Sequence, residues 1–102
     1  MLDHELLKSI ATGLLAGTPV DSEGRPLKVR KTSAQRLKVA SFTMNGHPYE
    51  AIEQNRYKPS RWGQLAKQGH QVVQIRDVGS NKYVAVVVDG EVTEYGSLGK
   101  KH

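Results

Sequence analysis

The densest β-forming segment of the chain is residues 82–90, Lys-Tyr-Val-Ala-Val-Val-Val-Asp-Gly. Valine packs well on a pleated surface, so five consecutive apolar residues, four of them valine, predict a strand. The Asp-Gly dipeptide that follows is typical of a two-residue hairpin turn. A strand that is apolar on both faces belongs inside a sheet and needs cover on both sides. By alternation, the two faces are Val84, Val86 and Val88 on one side and Tyr83, Ala85 and Val87 on the other.

An amphipathic helix is predicted at the start of the chain. Leu2, Leu6, Ile10 and Leu14 recur every fourth residue, which indicates a helix over residues 3–16. Asp3 is a suitable N-cap for it and Gly17 a suitable stop. The apolar stripe fits either a cover for the sheet or a docking helix for a partner. We favour the cover, because a short helix usually needs tertiary packing to persist.

Residues 18–35 break any helical or strand period, since they contain Pro19, Gly24 and Pro26. They also carry a run of cations without an intervening acid. The segment is therefore interpreted as a basic linker or arm, although so long a connector is unusual in a compact domain. A short strand at 27–29 is the alternative. The cations of the arm are Arg25, Lys28, Arg30 and Lys31.

A hairpin is predicted around Asn45-Gly46, the dipeptide that favours a type I′ turn. Because the loop has two residues, the register follows by counting from it. Pro48 has no N–H to donate, so its strand is expected to lie at a sheet edge. The predicted pairs are Met44 with His47, Phe42 with Tyr49, Ala40 with Ala51, and Val39 with Ile52.

The second half of the chain adds a short helix and a three-stranded meander. Ser60 and Gly69 bracket the helix as N-cap and stop, and Trp62 heads an apolar side that includes Leu65. The strands are 71–76, 82–88 and 91–95, with Val87 opposite Val92, Val86 opposite Thr93, and Val84 opposite Tyr95. The predicted fold class is α+β, with a mostly antiparallel five-stranded sheet or curled half-barrel and an N-terminal amphipathic helix. Its parts are the helix at 1–17, the linker or arm at 18–35, the α+β core domain at 36–96 and a frayed tail at 97–102.

Length and composition limit the possible classes. With 102 residues the chain is expected to form one domain, and 25% charged with 37% hydrophobic residues is typical of folded proteins. The absence of cysteine excludes disulfides, thiolate zinc sites and cysteine nucleophiles. No apolar run approaches the roughly 18 residues of a membrane-spanning helix. The first residues also lack the basic region of a secretory signal, so we expect a cytoplasmic protein with no membrane contact.

The residues typical of catalysis form no pattern in this sequence. Its four histidines, His4, His47, His70 and His102, are far apart and have no metal-ligand spacing. No glycine-rich phosphate-binding motif occurs, and no serine lies in a nucleophile elbow. We therefore predict no catalytic residue, no metal site and no cofactor, and a protein that is not an enzyme.

Cations alternate with aromatic residues in the segment 56–62, just before and inside the second helix. Arg56, Lys58 and Arg61 are suited to phosphate contacts, Ser60 to donating its hydroxyl, and Tyr57 to stacking on an unpaired base. Trp62 is instead expected to anchor the core. Together with the arm, this segment completes the predicted nucleic-acid-binding set. Its members are Arg25, Lys28, Arg30, Lys31, Arg56, Tyr57, Lys58, Ser60 and Arg61.

Two functions remain open from the sequence. The net charge of +5 favours anionic partners, although solubility alone accounts for it as well. The first function is a small basic binding domain for RNA or single-stranded nucleic acid. The alternative is a protein-interaction or accessory subunit, including a homodimer, that docks through the N-terminal helix or an edge strand at 48–53.

Overall fold

A computed structural model describes residues 2–33, 36–54 and 60–95 of the chain. Within these ranges it contains two helices and one antiparallel sheet whose strands follow one another in chain order, β1-β2-β3-β4-β5-β6. The predicted frayed tail at 97–102 lies outside the described residues. The elements are α1 His4–Ala16, β1 Val29–Lys31, β2 Lys38–Met44, β3 His47–Glu53, α2 Arg61–Lys67, β4 Val72–Asp77, β5 Lys82–Val88 and β6 Glu91–Glu94.

The α+β class and the antiparallel sheet are confirmed, but the strand count and the curled half-barrel are corrected to an open sheet with six strands. The additional strand is β1, inside the segment interpreted as a linker or arm and two residues beyond the alternative at 27–29. All three of its side chains are exposed. Its sequence therefore lacks the apolar alternation that marks a half-buried strand. Instead, β1 depends on its backbone ladder with β2, which a hydrogen bond from Ser41 N–H to the carbonyl of the preceding Lys28 extends at 3.3 Å.

Helix α1 has the predicted bounds and covers one face of the sheet. Its N-cap Asp3 accepts a hydrogen bond from Leu6 N–H at 3.1 Å, and Gly17 ends it with a φ of 95°. Leu7, Ile10 and Leu14 have no solvent-exposed surface and belong to the main hydrophobic cluster. The cover interpretation of the helix is the one that agrees with this packing. Residues of the sheet in the same cluster are Ala40, Phe42, Met44, Tyr49, Ala51, Val73, Ile75, Ala85 and Val87.

A glycine lets α1 approach the loop that follows it. A Cβ on Gly13 would lie 2.7 Å from the Cα of Pro19, which is closer than carbon atoms tolerate. Helix propensity alone predicts that Gly13→Ala stabilises the protein by about 1 kcal/mol. We expect the opposite, a loss of about 1–3 kcal/mol from the backbone clash. The urea midpoint measures it, with Ser9→Ala on the exposed side of α1 as the control, and a Gly13→Ala protein more stable than wild type would contradict it.

The hairpin formed by β2 and β3 has the register obtained by counting from Asn45-Gly46. Both turn residues have positive φ, 55° and 78°, as a type I′ turn requires. The placement of residues 48–53 at a sheet edge is wrong, because β3 lies between β2 and β4. Pro48 is tolerated there because the β3–β4 ladder begins one residue later, at Tyr49, and Pro48 only accepts a hydrogen bond, from Val78 N–H at 3.1 Å.

Strand β5 contains an irregularity that the alternation did not predict. The pairing with β4 shifts between Ile75 and Arg76, so that Arg76 lies opposite Tyr83 rather than Val84. At this point β5 has one residue more than β4, so Tyr83 and Val84 each lie on the face opposite to the one that strict alternation predicts. Val84 packs against the main cluster beside Ala85, and Tyr83 is exposed. The predicted pairs with β6 at Val87 and Val86 are confirmed, whereas the ladder ends at Ala85 with Glu94 and does not include Val84 with Tyr95.

The second face of the sheet is covered only in part. Helix α2 begins after its predicted N-cap Ser60 and packs against β4. Trp62 is half-buried beside Tyr95, with ring centroids 6.4 Å apart, and does not belong to the main cluster. Its expected role as a core anchor is therefore corrected. In the described part of the chain, Arg30, Ser41 and Tyr83 on this face are exposed, whereas Val39 is buried. We call the exposed part of this face the open face.

Candidate nucleic-acid interface

A row of polar and aromatic side chains crosses the open face. Residues directly opposite each other in an antiparallel pair share a face, and the registers connect Ser41 with Glu50, Glu50 with Arg76, and Arg76 with Tyr83. Lys28 extends the row beyond Ser41, because the Ser41 N–H donates to the Lys28 carbonyl. Four strand spacings make the row about 19 Å long. We call Lys28, Ser41, Glu50, Arg76 and Tyr83 the crossing row.

A carboxylate held between two arginines lies at the centre of the crossing row. Glu50 Oε2 accepts from Arg30 Nη2 at 2.8 Å, and Glu50 Oε1 accepts from Arg76 Nη2 at 2.5 Å. Arg76 also donates to the side chain of Asn81. The exposed fraction of the side chains rises from 11% for Glu50 to 25% for Arg76 and 58% for Arg30. The acid is thus buried beneath its two cations, and the three together present one net positive charge to solvent.

The environment of Glu50 keeps it ionised. Burial by itself would raise the pKa of this carboxyl group, but the hydrogen bonds and charges of Arg76 and Arg30 outweigh burial and lower the pKa below its ordinary value. Glu50 therefore acts as a fixed counter-ion that orients two guanidinium groups. Lys28, for which the described residues offer no ion-pair partner, adds a second net positive charge beside them.

The predicted cations of residues 25–31 do not stay together. Arg30 lies on the open face, because it contacts Glu50 there. Lys28 lies on the same face, since it is two residues before Arg30 in an extended segment. Lys31 lies on the opposite face, opposite Lys38, whose Nζ donates to the Leu15 carbonyl of α1 at 3.4 Å. Folding residues 29–31 as a strand separates neighbouring cations in this way.

Arg25 belongs to a local turn instead of to the interface. Its Nε contacts Asp21 Oδ2 at 3.1 Å, and its Nη2 contacts Glu23 Oε1 at 2.6 Å. The hydrogen bond from the Arg25 backbone N–H is the main cause of the lowered pKa of Asp21. With two acids against one arginine, this turn has no positive charge to offer a phosphate.

At the start of α2 the structure describes only Ser60 and Arg61 of the predicted residues. Ser60 Oγ accepts from Gly63 N–H at 3.1 Å, so the hydroxyl caps the helix. The guanidinium carbon of Arg61 lies 4.9 Å from the centre of the Trp62 ring, a cation–π contact. Arg56, Tyr57 and Lys58 lie outside the described residues.

Four residues of the crossing row were missed by the sequence reasoning: Ser41, Glu50, Arg76 and Tyr83. Arg76 had a usable signal, because Gln74 and Arg76 alternate with the apolar Val73 and Ile75 and so mark a polar face of β4. Glu50 had no such signal, since an acid in a hairpin is usually solvated. Alternation placed Tyr83 on the same face as Ala85 and Val87, and only the irregularity in β5 moves it to the open face.

The titratable groups elsewhere form simple surface pairs. His4 Nε2 lies 2.6 Å from Glu94 Oε2, and His70 Nδ1 lies 2.7 Å from Asp89 Oδ2. Both pairs are substantially exposed. Within residues 2–33, 36–54 and 60–95, no three histidine or carboxylate side chains come together as a metal site.

Comparisons with known proteins do not assign this chain to a family. No protein-family model matches it, and neither a curated protein nor a solved structure shows a match. In the described part of the chain, no helix is long and apolar enough to cross a membrane.

Proposed function

We propose that this protein is a small, non-enzymatic, cytoplasmic domain that binds RNA or single-stranded nucleic acid through the open face of its sheet. The observation that carries the proposal is the pair Arg30 and Arg76 around one buried carboxylate, with Lys28 lining the same surface as Arg30. Lysine and arginine contact phosphate oxygens and release counterions when they do so. The whole chain has a net charge of +5, which favours the approach of a polyanion from any direction.

The buried acid supports this role rather than opposing it. Glu50 uses both of its oxygens on the two guanidinium groups, so its charge is directed inward and away from solvent. The same bonds hold the arginines in place, which lowers the conformational entropy that each loses when it binds a phosphate. Arg30 is more than half exposed and keeps donors free for a ligand.

The start of α2 forms a second group in the proposal. Arg61 begins a helix that packs against β4 on the same face of the sheet as the crossing row. Arg56, Tyr57 and Lys58 precede it in the sequence and are included in the proposed contact for their charge and their ring. Arg25 and Lys31 are left out, since their charge is paired or lies on the helix-covered face.

Salt-dependent binding tests the proposal. We expect a labelled uridine-rich oligonucleotide to bind at about 50 mM salt and to bind much more weakly at about 200 mM, because each phosphate contact releases counterions. Replacing Lys28 and Arg30 together by glutamine is expected to reduce the slope of log K against log salt by about 1.4, or about 0.7 for each lost contact. Fluorescence anisotropy measures both quantities.

The matched control is Lys8→Gln on the exposed side of α1, which removes charge from the opposite surface. It is expected to leave the slope nearly unchanged. A wild-type protein that binds no oligonucleotide at low salt would overturn the function. Binding that falls equally in the control and in the double variant would overturn the assignment to the open face.

The alternative function is docking of a protein partner or of a second copy of the chain. The two surfaces predicted for it, the N-terminal helix and the strand at 48–53, are not available in this fold. The apolar stripe of α1 is buried in the chain's own core, and β3 lies inside the sheet. The remaining edges are β1 and β6. At β1, Val29 is exposed, and within the described residues the backbone is paired with β2 only, which is the condition for strand addition. The mass of the protein in solution distinguishes a homodimer from a monomer.

A further inference from the structure

We infer that Tyr83 stacks on an unpaired base and makes the open face selective for single strands over duplexes. This inference rests on the proposed nucleic-acid-binding function and adds a ligand class and a specificity residue to it. Tyr83 was not among the binding residues predicted from the sequence. Its role comes from the placement of its ring at one end of the crossing row.

The exposure of Tyr83 is unusual for its position. It is an aromatic residue of a strand next to the sheet edge, yet it is 46% exposed, more than Val29 or Val78. Its two strand neighbours are the exposed Lys82 and Val84, which packs against the main cluster. A single register shift is therefore responsible for placing this ring in solvent while the valine next to it enters the core.

The surroundings of Tyr83 suit a nucleotide. The ring lines a groove of about 410 Å³ together with Lys82, Val84 and Tyr95. Arg76 lies directly opposite it across the strand pair, and Lys82 precedes it. Leu2, Ser80 and the carboxylate of Glu94 line the groove as well, and Glu94 contacts His4 of α1, so the groove reaches toward α1. A base that enters the groove thus meets an aromatic surface. The cation next to the ring on the open face is Arg76, because Lys82 lies opposite Asp77 and so on the other face.

Stacking on a surface ring discriminates between single and double strands. In a duplex both faces of each base are covered by its neighbours, so only groove edges and phosphates are accessible. An unpaired base offers a free face to an aromatic side chain, and such stacking tolerates any sequence. The cations of the crossing row contact both kinds of ligand. Tyr83 supplies the part of the affinity that a duplex does not receive.

The crossing row has the length for a strand to engage both ends. Arg30 lies in β1 and Lys28 just before it, whereas Tyr83 lies in β5, about 19 Å away by strand spacing. A single strand that runs across the β-strands meets cations first, then Arg76, and then the ring. The order of contacts along the ligand is therefore phosphate, phosphate and base.

The test compares Tyr83→Leu with Tyr83→Phe. Each protein is titrated with a labelled uridine-rich single-stranded RNA, with a duplex RNA of the same length, and with inorganic polyphosphate, which has charge but no bases. We expect Tyr83→Leu to lose about 10-fold in affinity for the single strand and to keep the wild-type affinity for duplex and polyphosphate. Tyr83→Phe keeps the ring and is expected to bind like wild type.

The salt dependence provides a second measurement. Since Tyr83 contacts no phosphate in this arrangement, Tyr83→Leu is expected to keep the wild-type slope of log K against log salt. Thermal unfolding followed by circular dichroism confirms that this exposed substitution leaves the fold intact. Lys8→Gln again serves as a control for effects unrelated to the open face.

Failure of the inference and failure of the proposed function give different results. If wild type binds RNA in a salt-sensitive way but Tyr83→Leu binds the single strand equally well, the stacking role is overturned and the function remains. If Tyr83→Leu weakens single strand, duplex and polyphosphate alike, the residue has no base-specific role and the inference is also overturned. If wild type binds none of the three ligands, the proposed function fails and the inference fails with it.

Discussion

Replacing Ile10 with alanine is expected to lower the free energy of unfolding by about 2–5 kcal/mol. Ile10 lies in the middle of α1, has no exposed surface and belongs to the main hydrophobic cluster between helix and sheet. Truncating it removes apolar contacts and leaves a cavity that a packed sheet cannot fill. The midpoint of urea denaturation, followed by circular dichroism, measures the loss.

Two further substitutions make this result specific to packing. Ile10→Val removes one methylene group and is expected to cost about 0.5–1.5 kcal/mol. Thr12→Ala, on the exposed side of the same helix, is expected to change stability by no more than about 0.5 kcal/mol. If Ile10→Ala were as stable as wild type, α1 would not be part of the core. Its apolar stripe would then be available to a partner, and the docking function would regain its first surface.

Replacing Glu50 with glutamine is expected to destabilise the protein by about 2 kcal/mol at neutral pH. Removing one partner from a buried ion pair typically costs about 3–5 kcal/mol, and the value here is reduced because Arg30 and part of Arg76 reach solvent. The amide has the shape of the carboxylate but lacks its charge, so two guanidinium groups are left close together without a counter-ion.

The pH dependence of this effect has a definite sign. The pKa of Glu50 is lower in the folded chain than its ordinary value of 4.5, because the arginines outweigh burial. The stabilisation is therefore present above the unfolded pKa and is lost as pH falls through the folded pKa. Wild type and Glu50→Gln are expected to differ more at about pH 7 than at about pH 3, where the carboxyl group of the unfolded chain is already protonated.

Urea midpoints of the two proteins at both pH values measure this difference. The control is Glu91→Gln, an exposed acid at the start of β6, for which we expect little change at either pH. A Glu50→Gln protein as stable as wild type at neutral pH would show that the arginines do not need the acid. In that case Glu50 would not be needed to hold the two arginines in place.

Several elements could be predicted from the sequence because their signals are local. The N-cap Asp3 and the stop at Gly17 bound α1, and Ser60 begins α2, as the structure confirms. The register of the β2–β3 hairpin follows from the two-residue Asn45-Gly46 turn alone. In each case the deciding atoms lie within a few residues of each other, so neighbouring side chains and backbone conformation are sufficient.

Other elements depend on partners that are distant in the chain. Strand β1 has only exposed side chains, so it becomes a strand because an open edge of β2 offers hydrogen bonds. Strand β3 lies inside the sheet in spite of Pro48, because the ladder with β4 begins after the proline. Neither outcome can be read from a period of apolar residues.

The candidate site shows the same division. Lys28 and Arg30 were expected from charge alone, but their separation from Lys31 follows from the alternation of a strand that the sequence did not clearly predict. Glu50 and Arg76 are 26 residues apart and become partners through the β3–β4 register. Binding residues that lie on different strands come together only when strand order and register are known.

The valine-rich segment at 82–88 was determined by its own sequence to be a strand inside a sheet, because β-branched residues with a turn dipeptide after them have one favoured conformation. Which residues of that strand face the core was decided only by tertiary structure. One register shift against β4 sends Val84 to the main cluster and Tyr83 to solvent. The physical reason is that a strand's alternation is local, whereas its phase is set by hydrogen bonds to a neighbour, and in this protein that phase places the proposed stacking residue.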